Sequence, residues 1–439
     1  MGRMNVKTIA SGALAACMLL VSAPGLAQLR IEISQGVSEA VPIAVVPFGY
    51  EGRGGVPLDA AELIAGDLQR SGRFAPMDRD DMISTPTAAP EINFADWRLL
   101  KSDFLVIGRV VEEGLDRYVF RFQVFDVFRG TQLLGYQLPA TAANMRAVAH
   151  RAADMIFEKL TGVPGAFSTR IAYVSVMRDT ERDLYRLVVA DADGANPAVI
   201  AESSQPLMSP TWSPDARRLA YVSFEGRRSG IYVQELATGE RRVVSRNQGI
   251  NGAPAFSPDG RWLALTLSGE DGNLDVYVSN PATGQKRRLT TNSAIDTEPA
   301  WSRDGKDVFF TSDRSGGPQI YRVAADGSGS PQRVTFEGAY NARPRVAPDG
   351  KSLALVHNDR GNYRIALLDL ERNTTQVLSD GRQDESPSFA PNGSMIIFAT
   401  RQGGRGVLAA VSTDGRVKQS IASAAGDVRE PVWSPYPDN

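Results

Sequence analysis

The sequence predicts an all-β, six-bladed β-propeller in its C-terminal part, preceded by a smaller α/β domain. Three observations predict this architecture. A proline-flanked motif recurs six times at intervals of 43 to 45 residues, four strand-like segments fall within each interval, and the last motif supplies a strand that the first repeat lacks. A period of this length with four strands is the unit of a propeller blade.

The first 27 residues are predicted to be a signal peptide. Arg3 and Lys7 make a basic start, Ile9 to Ala23 is apolar, and Gly25-Leu26-Ala27 offers the small residues at which a signal peptidase cleaves. The apolar run is too short to span a bilayer comfortably. We therefore expect cleavage between Ala27 and Gln28 and export of the mature chain.

Cys17 leaves an alternative open, because Leu14-Ala15-Ala16-Cys17 resembles the box at which bacterial lipoproteins are cut and acylated. The apolar run continues beyond Cys17, where a lipoprotein usually becomes polar, and this favours cleavage after Ala27. Cys17 is the one cysteine of the sequence, so the mature chain would contain no disulfide and no cysteine metal site. The net charge of −2 gives no sign of the basic patch that nucleic-acid binding requires.

Residues 28–165 do not share the repeat and are predicted to form the α/β domain. The expected elements, in order, are a buried strand at Ile43 to Phe48, a helix at Ala60 to Arg70 stopped by Gly72, strands at Phe104 to Val111 and Tyr118 to Phe128, and a helix from Met145 to Leu160 that ends at Gly162. Residues 165–168 then lead into the propeller, which we expect to occupy residues 166–439.

The propeller motif has the form Pro-x-(Trp/Phe/Val)-(Ser/Ala)-Pro-Asp-Gly, as in PAFSPDG. Its first prolines are Pro210, Pro254, Pro299, Pro344, Pro387 and Pro431. We interpret each motif as a short strand that ends in a tight Pro-Asp-Gly turn. Three strand-like runs follow it, for example WLALTL, DVYVSN and KRRLT. Prolines are tolerated beside a short strand, which favours placing the motif strand innermost, next to the central tunnel.

Counting strands predicts how the ring closes. A second-strand sequence, Ile171 to Val176, stands upstream of the first motif and has no motif strand before it. The orphan motif at Pro431 to Pro435 would supply that inner strand. Pairing the two ends of the propeller gives six complete blades and removes an open sheet edge.

The residues just before the motif prolines are candidates for a binding site. We expect them to lie in six loops that converge on one mouth of the tunnel, in the extended geometry that a following proline favours. They are Met208, Ser209, Gly252, Ala253, Thr297, Glu298, Ala342, Arg343, Glu385, Ser386, Arg429 and Glu430. The alternative is that they only lead the chain into the strand. A ring of mixed charge suits a protein or peptide ligand better than a small metal-dependent substrate.

The sequence contains little that could support catalysis, and we expect no catalytic, cofactor or metal site. The two histidines, His150 and His357, are interpreted as structural, since a metal centre usually needs more ligands. Asp191-Ala192-Asp193-Gly194 resembles the start of a calcium loop but occupies the position of a turn in the other repeats. The remaining alternative is a propeller hydrolase or lyase acting on a peptide or glycan, which would need a nucleophile or a histidine-rich site at the mouth.

Several stretches together resemble the TolB family. They are QLRIEISQGVSEAVPIAVVPF, FEKLTGVPGAFSTRIAYVS, QPLMSPTWSPD and NGAPAFSPDG, and they span essentially the whole mature chain. The resemblance implies a periplasmic, non-enzymatic protein of the Tol-Pal envelope system. It implies two partners, the peptidoglycan-associated lipoprotein Pal at the propeller mouth and the inner-membrane protein TolA at the mature N-terminus. It also implies a role in outer-membrane integrity and constriction during cell division, with other outer-membrane proteins and colicins as further partners.

The resemblance also assigns residues to the two partners. Pal would contact Asn251, Gly252, Ala253, Thr297 and Glu298 with the remaining mouth positions. TolA would bind an N-terminal arm consisting of Gln28, Leu29, Arg30, Ile31, Glu32, Ile33 and Ser34. The arm alternates apolar and polar residues, as an edge strand does that can pair with a sheet or be released. One departure is Ile250, where many family members have histidine, so a polar contact at that position is not implied for this chain.

Overall fold

The computed structural model describes residues 29–35, 40–178, 182–423 and 426–437. The predicted signal peptide, the cleavage position at Ala27 and Gln28, and Cys17 lie outside the described residues. Within these ranges, none of the helices combines the length and the apolar character needed to cross a membrane.

The first strand, β1 (Leu29–Gln35), belongs to the propeller, and an α/β unit follows it. The unit comprises β2 (Val41–Val45), β3 (Gly49–Glu51), α1 (Ala60–Arg70), β4 (Phe74–Pro76), two 3₁₀ turns (Arg79–Asp81 and Ala89–Glu91), α2 (Phe94–Leu99), β5 (Phe104–Gly114), β6 (Arg117–Asp126), β7 (Thr131–Ala140) and α3 (Met145–Thr161). Its sheet has the order β4-β2-β5-β6-β7, with β3 also paired to β5. Strands β2, β4 and β5 are parallel, whereas β5, β6 and β7 are antiparallel.

Helices α1 and α3 cover one face of this sheet and α2 the other. The α1–α3 face buries Ile64 and Leu68 of α1 with Ile156 of α3, and the other face buries Trp97 of α2. Asp59 caps α1 by accepting a hydrogen bond from the backbone N–H of Glu62 at 3.0 Å. Both long helices are therefore held in place by their apolar faces.

The predicted elements of this unit are found, with two kinds of difference. Helix α1 has the predicted bounds, and α3 ends at Gly162 in the left-handed conformation, as predicted. The strand expected to reach Phe48 ends at Val45, two residues before Pro47. The sequence did not predict β3, β4, α2 or β7. Strand β7 is half-exposed and contains Gly135 and Pro139, so its pattern does not resemble a buried strand.

The propeller has six blades. Blade 1 contains both ends of the propeller, and blades 2 to 6 follow it in chain order. Blade 1 consists of β8 (Arg170–Arg178), β9 (Asp183–Asp191), β10 (Ala198–Ser203) and the C-terminal β31 (Asp427–Trp433). Blades 2 and 3 are β11 (Leu207–Trp212), β12 (Arg218–Ser223), β13 (Gly230–Glu235) and β14 (Arg241–Ser245), then β15 (Asn251–Phe256), β16 (Leu263–Ser268), β17 (Leu274–Ser279) and β18 (Lys286–Arg288).

Blades 4 to 6 continue the same antiparallel order. They are β19 (Asp296–Trp301), β20 (Asp307–Ser312), β21 (Gln319–Ala324) and β22 (Gln332–Arg333), then β23 (Asn341–Val346), β24 (Ser352–Asp359), β25 (Asn362–Asp369) and β26 (Thr374–Val377), then β27 (Glu385–Phe389), β28 (Met395–Gln402), β29 (Arg405–Ser412) and β30 (Lys418–Ser423). The predicted six-bladed propeller is confirmed.

The predicted closure is also confirmed. Strand β31 pairs antiparallel with β8, so the C-terminal motif is the inner strand of blade 1. The junction continues past the ladder, where the Ser434 N–H donates to the Arg170 carbonyl at 2.8 Å and the Trp433 indole N–H donates to the Thr169 hydroxyl at 2.8 Å. The ring therefore has no free inner edge at the point where it closes.

The N-terminal arm is docked on the propeller. Strand β1 pairs antiparallel with β30, from Leu29 opposite Ser423 to Gln35 opposite Lys418, and so becomes a fifth strand at the outer edge of blade 6. The arm thus has a sheet edge to pair with, as its alternating pattern suggested.

The α/β unit packs on the propeller face that carries the Pro-Asp-Gly turns, near blades 6 and 1. Asn392, in the turn of blade 6, donates to the Pro164 carbonyl at 2.9 Å. Gln419 of β30 donates to the carbonyl of Arg70, at the end of α1. The inner strands begin at the opposite face, so the tunnel mouth formed by the residues before the prolines points away from the α/β unit.

Candidate functional site

The twelve pre-proline residues predicted for the mouth are brought together around the tunnel, but they lie in strands and not in loops. Each pair stands in the first half of an inner strand, from Met208 and Ser209 in β11 to Arg429 and Glu430 in β31. Ile250 lies just outside β15. The arm residues are not part of this site, because β1 is at the outer edge of blade 6.

The prediction that the residue before each motif proline is extended is wrong. The preceding residue has φ between 45° and 57° in all six blades, at Ser209, Ala253, Glu298, Arg343, Ser386 and Glu430. The pairing register with the second strand shifts at the same point in every blade. Each inner strand therefore contains a β-bulge. Proline fits there because the bulge leaves residues unpaired and a missing N–H costs no ladder bond.

Exposed apolar side chains lie on the face of the propeller at which the inner strands begin. Met208, Ile250, Ile295 and Phe336 come at the start of the inner strand or from the segment before it, and are 36%, 51%, 48% and 62% exposed. Ile295 and Phe336 were not among the predicted mouth residues, because neither stands next to a motif proline. Large apolar side chains grouped on one face are typical of a protein-binding surface.

The other side of the mouth is polar. A cavity of about 410 Å³ opens between blades 5, 6 and 1 and is lined by Arg401, Arg429, Glu385 and Tyr363, among others. Arg178, which also lines it, pairs with Asp427 at 3.3 Å. In the described part of the chain, Arg401 and Arg429 have no carboxylate within 4.0 Å. These guanidinium groups are available to a partner.

Below the mouth, the tunnel between the inner strands contains a cavity of about 610 Å³. Glu298 and Arg343 of adjacent blades pair within it, with Arg343 Nε 2.8 Å from Glu298 Oε1. The Arg343 N–H and the Thr311 hydroxyl both donate to Glu298 Oε2 at 2.9 Å. Arg343 also donates to the Ser386 hydroxyl, and the Ser209 N–H donates to the Glu430 carboxylate. The tunnel wall is thereby cross-linked between blades.

The charges in the tunnel influence one another. Burial acts to lower the pKa of Arg343, but the negative charges of Glu298, Glu430 and Glu385 outweigh it and raise that pKa overall. Burial raises the pKa of Glu430, and the nearby Arg343 offsets this only in part. Arg343 therefore stays a cation whose charge is largely engaged by the wall.

Some predicted mouth residues shape the site and do not face a ligand. Asn251 is fully buried, and its side chain bonds the Ser245 hydroxyl at 2.8 Å and the Asn247 N–H at 2.9 Å. Ala342 and Ser386 are also buried. They hold the strand starts in position for their more exposed neighbours.

His357 lies at the mouth end of blade 5, where it pairs with Asn341, whereas His150 lies in the α/β unit on the opposite face. His357 Nδ1 lies 2.9 Å from the Asn341 side-chain oxygen, and burial lowers the pKa of His357. His150 is buried in α3. The segment at Asp191 is the predicted turn, closed by the Gly194 N–H donating to the Asp191 carbonyl at 2.8 Å. The structure brings His150 close to Asp191 and Asp193, which are distant from it in the sequence.

Comparison with known proteins identifies the family. The TolB amino-terminal domain model matches residues 29–133, and the TolB beta propeller domain model matches residues 157–437. The chain is 57% identical over 434 residues to "Tol-Pal system protein TolB" of Thioalkalivibrio sulfidiphilus, covering 98% of this chain and 99% of the relative. It is 58% identical to the protein of the same name from Nitrosococcus oceani, covering 97% of this chain and 98% of the relative.

A solved structure agrees over both parts of the chain. The crystal structure of TolB from Acinetobacter baumannii superposes with a TM-score of 0.86 at 42% identity, covering 93% of this chain and all of that one. These matches support the resemblance to the TolB family and argue against the alternative of a propeller hydrolase or lyase. The chain belongs to the TolB family.

Proposed function

We propose that this protein is a periplasmic adaptor that binds the peptidoglycan-associated lipoprotein Pal at the propeller mouth and TolA through the N-terminal arm. Family membership supports the coarser part of this proposal, a non-enzymatic component of the Tol-Pal system in the periplasm. The adaptor role would serve outer-membrane integrity and constriction during cell division. Its contact with membranes would be through these partners.

The observation that carries the proposal is the mouth itself. Exposed apolar side chains on four blades lie on the same face of the propeller as a cavity lined by Arg401 and Arg429, which have no ion pair among the described residues. Protein interfaces combine an apolar centre with a polar rim, and arginine is enriched in them. The face also points away from the α/β unit, so a folded partner can approach it.

The mouth is tested by placing a charge at its centre. The variants are Ala253→Arg, Thr297→Arg and Ile250→Arg. In the complex with the Pal periplasmic domain the new guanidinium would be buried without a partner, which should weaken binding by about 2–5 kcal/mol. Isothermal titration calorimetry measures the affinity. Ile250→Arg is the cleanest variant, because Ile250 is exposed and outside the strand.

Ala282→Arg is the matched control. Ala282 is exposed in the turn between β17 and β18, on the opposite face, so its replacement should leave the affinity for Pal unchanged. Wild-type affinity in all three mouth variants would move the binding site elsewhere.

The arm is tested by deletion. Strand β1 pairs only along the outer edge of blade 6, so removing Gln28 to Ser34 should leave the propeller folded. Binding of TolA should be lost and binding of Pal should remain measurable by calorimetry. A truncated protein that binds TolA with wild-type affinity would contradict the assignment of the arm.

A further inference from the structure

Six charged or titratable side chains form one cluster where the α/β unit meets blade 1. We call it the junction cluster, and it consists of Asp67 and Arg70 of α1, Arg146 and His150 of α3, and Asp191 and Asp193 at the turn after β9. Arg70 pairs with Asp67 and Arg146 with Asp193, and Arg146 Nε lies 3.2 Å from Asp191 Oδ2. The cluster therefore joins the two parts of the molecule by ion pairs.

His150 occupies the centre of the junction cluster. Its Nδ1 lies 2.7 Å from Asp67 Oδ2, and its Nε2 lies 3.7 Å from Asp193 Oδ2. His150 is 2% exposed and Asp67 is fully buried. Nε2 has no hydrogen-bond partner. A neutral imidazole with its proton on Nδ1 would thus face the Asp193 carboxylate with a lone pair, whereas an imidazolium would present an N–H to it.

The charges of the junction cluster balance only when His150 is protonated. Three carboxylates share two guanidinium groups, so one unit of negative charge in the cluster is not neutralised. An imidazolium supplies the missing positive charge at the most buried point. Excess buried charge is costly, so the protonated form of His150 favours the packed arrangement.

A metal cation is the other way to supply positive charge. His150, Asp191 and Asp193 have ligand atoms within 4.8 Å of one another. Both carboxylates are already engaged by Arg146, however, and Asp191 also accepts a hydrogen bond from the Asn196 side chain at 2.7 Å. The arrangement of donors around the carboxylates therefore favours a proton.

We infer that His150 is a proton-controlled clamp between the α/β unit and the propeller, which holds the turn after β9 against α3 when protonated and loosens it when neutral. Burial acts to lower the pKa of His150, but the hydrogen bond to Asp67 and the charges of Asp67 and Asp193 raise it above its ordinary value of 6.5. A raised histidine pKa stabilises the packed state fully below the ordinary value. That stabilisation is lost as the pH rises through the pKa of the folded protein.

A second group near the cluster also titrates. Asp154 lies one turn further along α3 and accepts hydrogen bonds from the backbone N–H groups of Phe167 at 2.6 Å and Ser168 at 3.1 Å in the connector to the propeller. Burial raises the pKa of Asp154 to about 6. The raised pKa of Asp154, like that of His150, makes the folded state less stable as the pH rises. Asp154→Asn removes this contribution and is therefore the background in which His150 is measured.

The test uses the mature protein, residues 28–439, and begins with the imidazole resonances. The sequence contains two histidines, so His357→Gln leaves a single signal that belongs to His150. NMR titration should give His150 a pKa above 6.5, and Asp193→Asn should lower its proton affinity about tenfold, which is one pKa unit. The signal of His357 in the His150→Gln variant should titrate below 6.5.

Hydrogen exchange of α3 and of residues 191–196 then measures the clamp. In Asp154→Asn, opening of these segments should increase about tenfold between roughly pH 6 and pH 8. Adding His150→Gln should remove this pH dependence, whereas adding His357→Gln should preserve it. EDTA or zinc should change neither the exchange nor the pKa.

Three results would overturn the proposal. One is a His150 pKa at or below 6.5. Another is equal protection of α3 at all pH values in the Asp154→Asn protein. The third is a zinc-dependent shift of the His150 signal, which would assign the cluster to a metal cation. The titration needs only His357→Gln and Asp193→Asn, so the proposal remains testable if His150→Gln does not fold.

Discussion

The residue before each motif proline has an unusual conformation for its type. Alanine, serine, glutamate and arginine occur there with positive φ, a region that residues other than glycine rarely adopt. The same bulge in all six blades shows that the geometry of the inner strand imposes it. The strain is local, and the ladders on both sides hold the chain in place.

Ala253 is the position at which this strain is most easily tested. It has φ of 45°, so a β-branched side chain should clash with the backbone, and Ala253→Val should lower the free energy of unfolding by about 1–2 kcal/mol. Ala253→Gly should be close to neutral, because relief of the strain offsets the added freedom of the unfolded chain. Chemical denaturation measures both variants. A valine variant as stable as wild type would mean that the bulge carries no strain.

Strand β31 is the element on which the integrity of the propeller depends most. It is separated from its partner β8 by almost the whole propeller sequence, yet it provides the inner strand of blade 1. At its end, Trp433 and the following Ser434 add hydrogen bonds to Thr169 and Arg170. A blade without its inner strand exposes both a sheet edge and the apolar faces of its neighbours.

Deleting Glu430 to Asn439 should therefore abolish cooperative unfolding or make the protein insoluble, since the uncovered edge of β8 invites aggregation. Calorimetry and size-exclusion chromatography measure these outcomes. Removal of Asp438 and Asn439 alone, which keeps all of β31, is the control and should behave as wild type. If the longer truncation stays soluble and melts in one transition, closure by β31 is not required for the fold.

At the scale of the whole molecule, the mouth and the arm belong to the same sheet. Blade 6 has the order β1-β30-β29-β28-β27, with the arm at its outer edge and the mouth residues Glu385 and Ser386 in its inner strand. Ser386 accepts a hydrogen bond from Arg343, so blade 6 is also tied to blade 5 at the mouth. The mouth and the arm are therefore connected through the hydrogen-bonded strands of one blade.

This arrangement leads to a prediction about the two proposed partners. If Pal favours the docked arm and TolA requires the released arm, each partner must weaken the other by the same factor, typically about 5- to 150-fold. Calorimetric titration of TolA into the protein with and without saturating Pal measures the factor. A variant lacking Gln28 to Ser34 should show no effect of TolA on Pal binding. Identical TolA affinities in the two titrations would show that the sites are independent.

The sequence by itself determined the number of blades, their strand order and the closure. These features depend on signals that are local in the chain, such as a Pro-Asp-Gly turn or an apolar run, and on a period that repeats them. The bounds of α1 and the end of α3 at Gly162 were predictable for the same reason. The mouth was predictable as a position, because six equivalent strand starts must meet around one axis.

Only the tertiary structure decided what depends on residues distant in sequence. The bulge before each proline arises from pairing with the second strand, which overrides the local preference for extended geometry. The apolar contribution of Ile295 and Phe336 to the mouth depends on which side chains the blades leave uncovered. The contact between His150 and Asp67, 83 residues apart, and their meeting with Asp193 require α1, α3 and blade 1 to pack together. Burial and charge balance are properties of that packing, and no local pattern in the sequence records them.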